Sequence, residues 1–454
     1  MMDTASAAHV LQGNLIGDNV RFARVITDTR ALQEGDLFVA LKGERFDGHD
    51  FVAAAFERGA CAAMVARARV PMSGGSLIEV DDPLQALGRL AAHWRSRFDI
   101  PVIVVVGSNG KTTVKEMTAA ILRAQFGPDV LATRGNLNNA IGLPLTLLGL
   151  RSHHRAAVIE LGMNHPGETA ELAPIAQPTI ALINNAQREH QEFMRSVSDV
   201  AREHARLLAF LPASGTAVIN ADDAHVDVWR GAMPGGIRVL DFGLSHRAAV
   251  QGTCDAAEGA MRLRITTPAG TAEATMQVVG RHNASNALAA TAAALAAGVS
   301  LRAVCEGLEA FRPVAGRLVA RRGLQGEAII DDTYNANPDS VRAAIPVLAS
   351  APSPRWLVLG DMGEVGSEGP AFHREAGEIA RAAGIERLFT AGTLAAEASA
   401  AFGEGAMHVD EVEALAAHLE HLDRSGTTIL VKGSRFMRME RVVARLCGDA
   451  GSAH

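Results

Sequence analysis

The stretch PVIVVVGSNGKTT, residues 101–113, decides the fold. Its unbroken β-branched run, Val102 to Val106, has no polar face, as expected of a strand covered on both sides in a parallel sheet. Gly107 and Gly110 then bracket a short loop, and a helix is expected from about Thr112. Glycines let backbone N–H groups converge on phosphate oxygens. Lys111 brings a point charge to the β- and γ-phosphates, and the Thr112 hydroxyl suits Mg²⁺. The helix start adds a dipole that favours an anion. Gly107, Ser108, Asn109, Gly110, Lys111, Thr112 and Thr113 are therefore candidates to hold ATP. The loop departs from the full G-x-x-x-x-G-K-[ST] pattern, because Val105 stands where its first glycine belongs.

Outward from this loop the chain alternates. AAVIELG (156–162), PTIALINN (178–185) and GTAVINADD (215–223) read as strands, with a helix over 197–210, so the centre is α/β with a mainly parallel sheet. Upstream, GDLFVALKG (35–43) and residues 60–65 read as strands. Residues 51–59 and 84–98 read as helices, the latter with Leu84, Leu87, Leu90 and Trp94 on one side. Downstream of FRPVAGR (311–317) a second β/α series runs through AIIDDTYNANP, RWLVLGD, RLFTAG and TTILVKGS. The expected fold is thus three α/β domains: a smaller N-terminal one over 1–100, a central P-loop mononucleotide-binding sheet over 101–313, and a C-terminal Rossmann-like sheet over 314–454.

Composition narrows the class. The 454 residues include 43 Lys and Arg against 50 Asp and Glu, a net charge of −7, which speaks against a general nucleic-acid binder. Cys61, Cys254, Cys305 and Cys447 form no C-x-x-C pair, which disfavours a disulfide scaffold or a zinc site. The first residues lack a secretory pattern and no apolar run is long enough to span a bilayer. A cytoplasmic enzyme without membrane insertion is expected.

The shortened loop GSNGKTT resembles that of the Mur ligases, ATP-dependent amide-forming enzymes of peptidoglycan precursor synthesis. TDTR (27–30), LFVALKGERFDGHDF (37–51), RGNLNNAIGLP (134–144), ELGMNHPGE (160–168), GRHNASNALAA (280–290), AGR (315–317), DDTYNANPDS (331–340), LGDMGE (359–364) and LVKGSRFMRME (430–440) resemble family segments in the same order. DDTYNANPDS and KGSRFMRME look most like the members that add D-alanyl-D-alanine to UDP-N-acetylmuramoyl-tripeptide. The resemblance implies three steps: ATP phosphorylates the tripeptide carboxylate, the dipeptide amine attacks the acyl phosphate, and phosphate leaves. It implies ATP and Mg²⁺ as cofactors, and a monomer is expected. A sister Mur ligase adding the third residue, or a folylpolyglutamate synthase, is the alternative within the chemistry. A nucleotide-dependent switch is the alternative outside it.

The resemblance also implies roles. Lys111, Glu160 and His190 are the catalytic set, with Thr112, Glu160 and His190 toward metal. Asn283, Arg317 and Asp332 join the ATP contacts. Thr27, Asp28, Thr29, Arg30, Lys42, Gly43, Asp47, Gly48, His49, Asn138 and Asn139 face the UDP-linked substrate. Tyr334, Asn335, Asn337, Lys432 and Ser434 face the dipeptide. Taken without the family, Glu160 better suits a solvated strand end and His190 a surface loop, while Asn283 also suits a helix N-cap. Arg317 and Asp332 suit an interdomain ion pair, and the loop residues suit turns. One departure stands out. Many Mur ligases carry a carbamylated lysine in an A-K-G-E-like stretch, but here Glu203-His204-Ala205-Arg206 puts His204 in that place. Either His204 is a ligand, or Glu203 substitutes, or substrate and water alone hold the second Mg²⁺; the oxygen preference of Mg²⁺ favours the last.

Overall fold

The structure, a computed structural model, describes residues 1–69, 75–257 and 259–449. Val102–Val106 is buried at every position and pairs in parallel with Ala156–Glu160 on one side and Ile180–Ile183 on the other. Outside the first lies Val130–Ala132; outside the second lie Thr216–Asn220, Arg238–Gly243 and Val250–Ala257, all parallel. The chain therefore runs to one edge, returns, and crosses to the other side of Val102–Val106. Open α/β sheets bind ligands at such a reversal, beyond the carboxyl ends of the strands. That is where residues 107–110 lie.

The sheet does not end with its parallel part. Ala260–Thr267 and Gly270–Met276 add two antiparallel strands, making nine. Their signal is present in AMRLRITT: Met261, Leu263 and Ile265 are buried while Arg262 and Arg264 are exposed, the period-two pattern of a half-buried strand. Helix Lys111–Phe126 packs beside Arg281–Ala296 and Leu301–Ala310. Gly307 permits the last contact, since a Cβ there would lie 2.3 Å from Ile121 Cα.

The N-terminal sheet orders Asn14–Ile16, Ser76–Val80, Ala62–Ala66, Asp36–Val39 and Arg24–Ile26, parallel except for the first pair. Helix Pro83–Arg95 follows, capped by the Asp82 carboxylate. Leu87, Leu90 and Trp94 are buried on it, but Leu84 in its first turn is exposed, against expectation, and lines the central cavity instead. This helix lies between two sheets. One apolar cluster takes in Leu37, Val39 and Ile78, then Leu87 and Trp94, then Leu143, Ile159 and Trp229.

The third sheet orders Val319–Arg322, Ala328–Asp332, Thr428–Lys432, Arg355–Gly360, Arg387–Ala391 and Ala406–Val409, all parallel but the first pair. Its two apolar clusters contain no residue before Leu318. Besides the small antiparallel pair of Met2–Asp3 and Arg21–Phe22, the described residues thus form three main sheets, of which the first two share a core and the third keeps its own. Among the described residues no helix is long and apolar enough to cross a membrane.

Candidate active site

A cavity of about 2200 Å³ opens above the carboxyl end of Val102–Val106, walled on its other side by residues 316–352, 363–364 and 428–436. Its floor is the glycine loop. Gly107 and Gly110 have φ of 142° and 81°, and a Cβ on Gly110 would lie 2.5 Å from Asn286 Oδ1. Asparagines hold the loop from below: Asn184 and Asn185 side-chain amides donate to Asn109 O at 2.8 and 2.9 Å, and Asn185 Oδ1 accepts from Asn109 N at 2.8 Å. Gly110 is the N-cap of a helix that begins at Lys111, one residue earlier than expected. The Lys111 ammonium donates to Gly107 O at 2.5 Å and lies 3.3 Å from Glu189 Oε2.

Glu160 ends its strand 2 % exposed, so it is not a solvated strand end. Its Oε1 accepts from Asn138 Nδ2 at 2.7 Å, while Oε2 has no hydrogen-bond partner. Thr112 is buried in the loop helix, and its hydroxyl accepts from Arg317 Nη2 at 2.9 Å. A buried carboxylate oxygen without a partner, beside a cavity that a hydroxyl also lines, fits a hard cation that takes oxygen ligands. Among the described residues no three His, Cys, Asp or Glu are grouped as a ready-made metal site.

His190 sits in left-handed backbone at φ 49°. Its Nδ1 bonds Glu364 Oε2 at 2.6 Å, and that hydrogen bond holds the Glu364 carboxyl below its ordinary value. Glu364, in the loop after strand Arg355–Gly360, is itself at φ 57°. A bonded pair of non-glycine residues in this region is strain of the kind found at functional sites. His204 is 1 % exposed, and neither ring nitrogen has a hydrogen-bond partner. Burial and the Lys111 charge push it down to about 3, so it is neutral at pH 7. Glu203 is excluded as its substitute: it accepts from Thr169 N at 3.0 Å and pairs with Arg206 at 2.9 Å, away from the loop.

The opposite wall carries the C-terminal candidates. The Arg317 guanidinium lies 4.2 Å from the Tyr334 ring centroid while reaching Thr112. Asp332 and Lys432, register partners on adjacent strands, pair at 2.6 Å, so Arg317 and Asp332 do not pair with each other. Burial pushes the Asp332 carboxyl up against the pull of Lys432. Asn335 O accepts from Lys432, and Ser434 Oγ donates to Ala336 O while accepting from Gly363 N. Asn337 lines the cavity next to the nucleotide loop: it exchanges amide hydrogen bonds with Asn109, one at 2.9 Å, and caps helix Pro338–Ala349 in a capping box with Ser340. Asn283 lines the cavity and donates to Val279 O. The N-cap of its helix is Gly280, which removes the capping alternative.

Of the candidates for the UDP-linked substrate, Thr27 to Arg30, Lys42, Gly43 and Asp47 to His49 lie outside this cavity, whereas Asn138 and Asn139 line it. Asp28 caps Thr29–Ala31 and binds the Arg30 guanidinium, Asp47 caps Gly48–Phe51, and His49 bridges Asp47 to Ala66 N. Lys42 pairs by backbone with Asp47, Gly43 N donates to Phe46 O, and Gly48 packs against Leu41. Asn139 takes the amides of Ile141 and Gly142. Glu189, Gln187 and the supporting asparagines were not singled out by sequence; the polar run NNAQRE after an apolar strand was their signal.

Patterns described as the Mur ligase family catalytic domain, the Mur ligase middle domain and the Mur ligase glutamate ligase domain match residues 21–95, 105–294 and 316–435. The UDP-N-acetylmuramoyl-tripeptide–D-alanyl-D-alanine ligase of Escherichia coli K12 is 42% identical over 443 residues, 96% of each chain. A crystal structure of MurF from Acinetobacter baumannii superposes with TM-score 0.91 at 32% identity, covering 99% of both chains. MurF ligase from Thermotoga maritima in complex with ADP gives 0.82 at 27% identity, over 94% of this chain and 97% of that one. A likeness that runs end to end, through all three sheets and the loop between them, has one meaning: this chain belongs to the Mur ligase family.

Proposed function

We propose that the chain is an ATP-dependent ligase that joins D-alanyl-D-alanine to UDP-N-acetylmuramoyl-tripeptide through an acyl phosphate, releasing ADP and phosphate. The observation that carries this reading is the full-length similarity to the E. coli ligase, supported by a single cavity where both family segments of the C-terminal sheet face the glycine loop. The division of labour follows the sheets: residues 1–100 hold the UDP moiety, 101–313 the nucleotide, and 314–454 the dipeptide. Four free cysteines are in keeping with the cytoplasm.

A carboxylate is a poor electrophile at neutral pH and must first gain a leaving group. The backbone amides of residues 107–113 and the Lys111 ammonium hold the phosphates, so that Lys111 leaves the Gly107 carbonyl for the γ-phosphate and offsets charge as it develops. Glu160 and Thr112 would hold Mg²⁺, which supplies further neutralisation of phosphate charge. Arg317 offers a planar donor fork to phosphate from the opposite wall. Asn138 fixes the Glu160 carboxylate, and Tyr334, Asn335, Lys432 and Ser434 form the wall that receives the dipeptide. His190 and Glu364 join the two walls and exclude water between them. The test is phosphate release with UDP-muramoyl-tripeptide across a panel of D-amino acids and dipeptides. Release that requires both the tripeptide and D-alanyl-D-alanine is expected; release without an amine acceptor would indicate a nucleotide switch.

A further inference from the structure

Buried polar atoms in folded proteins almost always have partners, and those that lack one call for an explanation. Two such groups lie around Lys111, and a third, Glu160, lines the same cavity. Glu160 Oε2, Glu189 Oε1 and both ring nitrogens of His204 are buried without a hydrogen bond. Glu189 is the centre of the group. It is 5 % exposed, yet it lines the cavity. Its Oε2 lies 3.3 Å from Lys111 Nζ and 3.7 Å from His190 Nε2, and its Oε1 lies 3.2 Å from His204 Nε2 without the alignment of a hydrogen bond. A buried anion is costly unless charge or hydrogen bonds compensate it. Here Lys111 is the compensating charge, and the reaction proposed above draws Lys111 toward phosphate. Another cation must then take its place beside Glu189.

We infer that Glu189 is a metal-holding carboxylate of this enzyme. It lies against the loop lysine, in the cavity that Glu160 also lines, and holds a second divalent cation that enters with the nucleotide. The neutral His204 ring stands behind it as a partner for the carboxylate or for a water of the ion. The chemistry favours this over a His204-centred site, because a hard cation takes carboxylate and water oxygen in preference to imidazole nitrogen. It also replaces the expectation that substrate and water alone hold the second ion. Lys111 and the metal then alternate as the counter-charge of one buried carboxylate.

This inference rests on the ligase reading, and the test separates the two. Mn²⁺ is the probe, followed by electron paramagnetic resonance on the full chain with a non-hydrolysable ATP analogue and UDP-muramoyl-tripeptide. The wild type is expected to bind two Mn²⁺. E189Q is expected to lose one, or to hold it at least about tenfold more weakly, with analogue affinity within about threefold of wild type. E189D, which keeps the carboxylate, is expected to recover the second ion in part, which guards against a folding defect in E189Q. Two ions at wild-type affinity in E189Q would make Glu189 only a counterion for Lys111 and overturn the assignment. A wild type that binds no analogue would overturn the ligase reading itself. Incubation with ¹³C-bicarbonate is expected to give no lysine carbamate resonance; such a resonance would give the second carboxylate to a modified lysine and also overturn it.

Discussion

Lys111 illustrates how much one side chain can be asked to do. Its ammonium bonds the Gly107 carbonyl and faces Glu189. Lys111→Ala removes the cation nearest the transferred phosphoryl group, and turnover in the phosphate-release assay should fall by about 10³ or more. Wild-type turnover in that variant would place ATP elsewhere. Asn337 shows the structure changing an expectation. From sequence it belongs to the dipeptide, but it bonds Asn109 in the nucleotide loop and caps its helix. Asn337→Ala should therefore raise KM for ATP as well as for the dipeptide, and lower stability by about 1 kcal/mol through the lost cap; a rise confined to the dipeptide would restore the sequence assignment. A third residue gives a pH signature far from the site. Hydrogen bonds from Arg355 chiefly, and from Ser353, hold the Glu386 carboxyl at about 2 against an ordinary 4.5. A depressed carboxylate stabilises the fold above its unfolded pKa, and that stability is lost as pH falls toward the folded value. Thermal unfolding of wild type and Glu386→Gln should differ above about pH 4.5 and converge toward pH 2.

At the scale of elements, the close approach of helices Lys111–Phe126 and Leu301–Ala310 depends on Gly307. A Cβ there meets backbone rather than a flexible side-chain end, so the helices must separate. Gly307→Ala should cost about 1–3 kcal/mol, read as a lowered Tm, and should weaken nucleotide binding because the first helix carries the loop. The elements that were legible in sequence are those set by local pattern. Val102–Val106 and the loop after it needed nothing beyond residues 101–113. The strand at 260–267 was equally legible, through its alternating Met261, Leu263 and Ile265, but lay between stronger motifs. The rest was not local. Asn184 supports a loop 75 residues before it, and Glu189 acquires its meaning only beside Lys111 and His204. Side-chain chemistry names a candidate; only the crossover that brings Ile180–Ile183 beside Val102–Val106 makes it a neighbour.

For the whole molecule the decisive contrast is between its two seams. The third sheet meets the centre through polar groups: Arg188 with Asp339 and Glu375 at 2.7 and 2.6 Å, His190 with Glu364, Asn109 with Asn337, and Arg317 with Thr112. Polar interdomain contacts of this kind permit relative motion. Arg188→Ala removes the strongest of them, and small-angle scattering should show a larger radius of gyration without nucleotide, together with a raised KM for ATP. The other seam is of a different nature. Residues from Met2 to Trp229 contribute to one apolar cluster, with helix Pro83–Arg95 at its middle. The three main sheets therefore amount to two cooperative melting units. Calorimetry on the full chain should resolve two transitions, the first sheet losing its structure together with the second, and limited proteolysis should release the C-terminal third intact but never the N-terminal hundred residues. The boundary most visible in the sequence, at residue 100, is on this account one the molecule cannot be divided at.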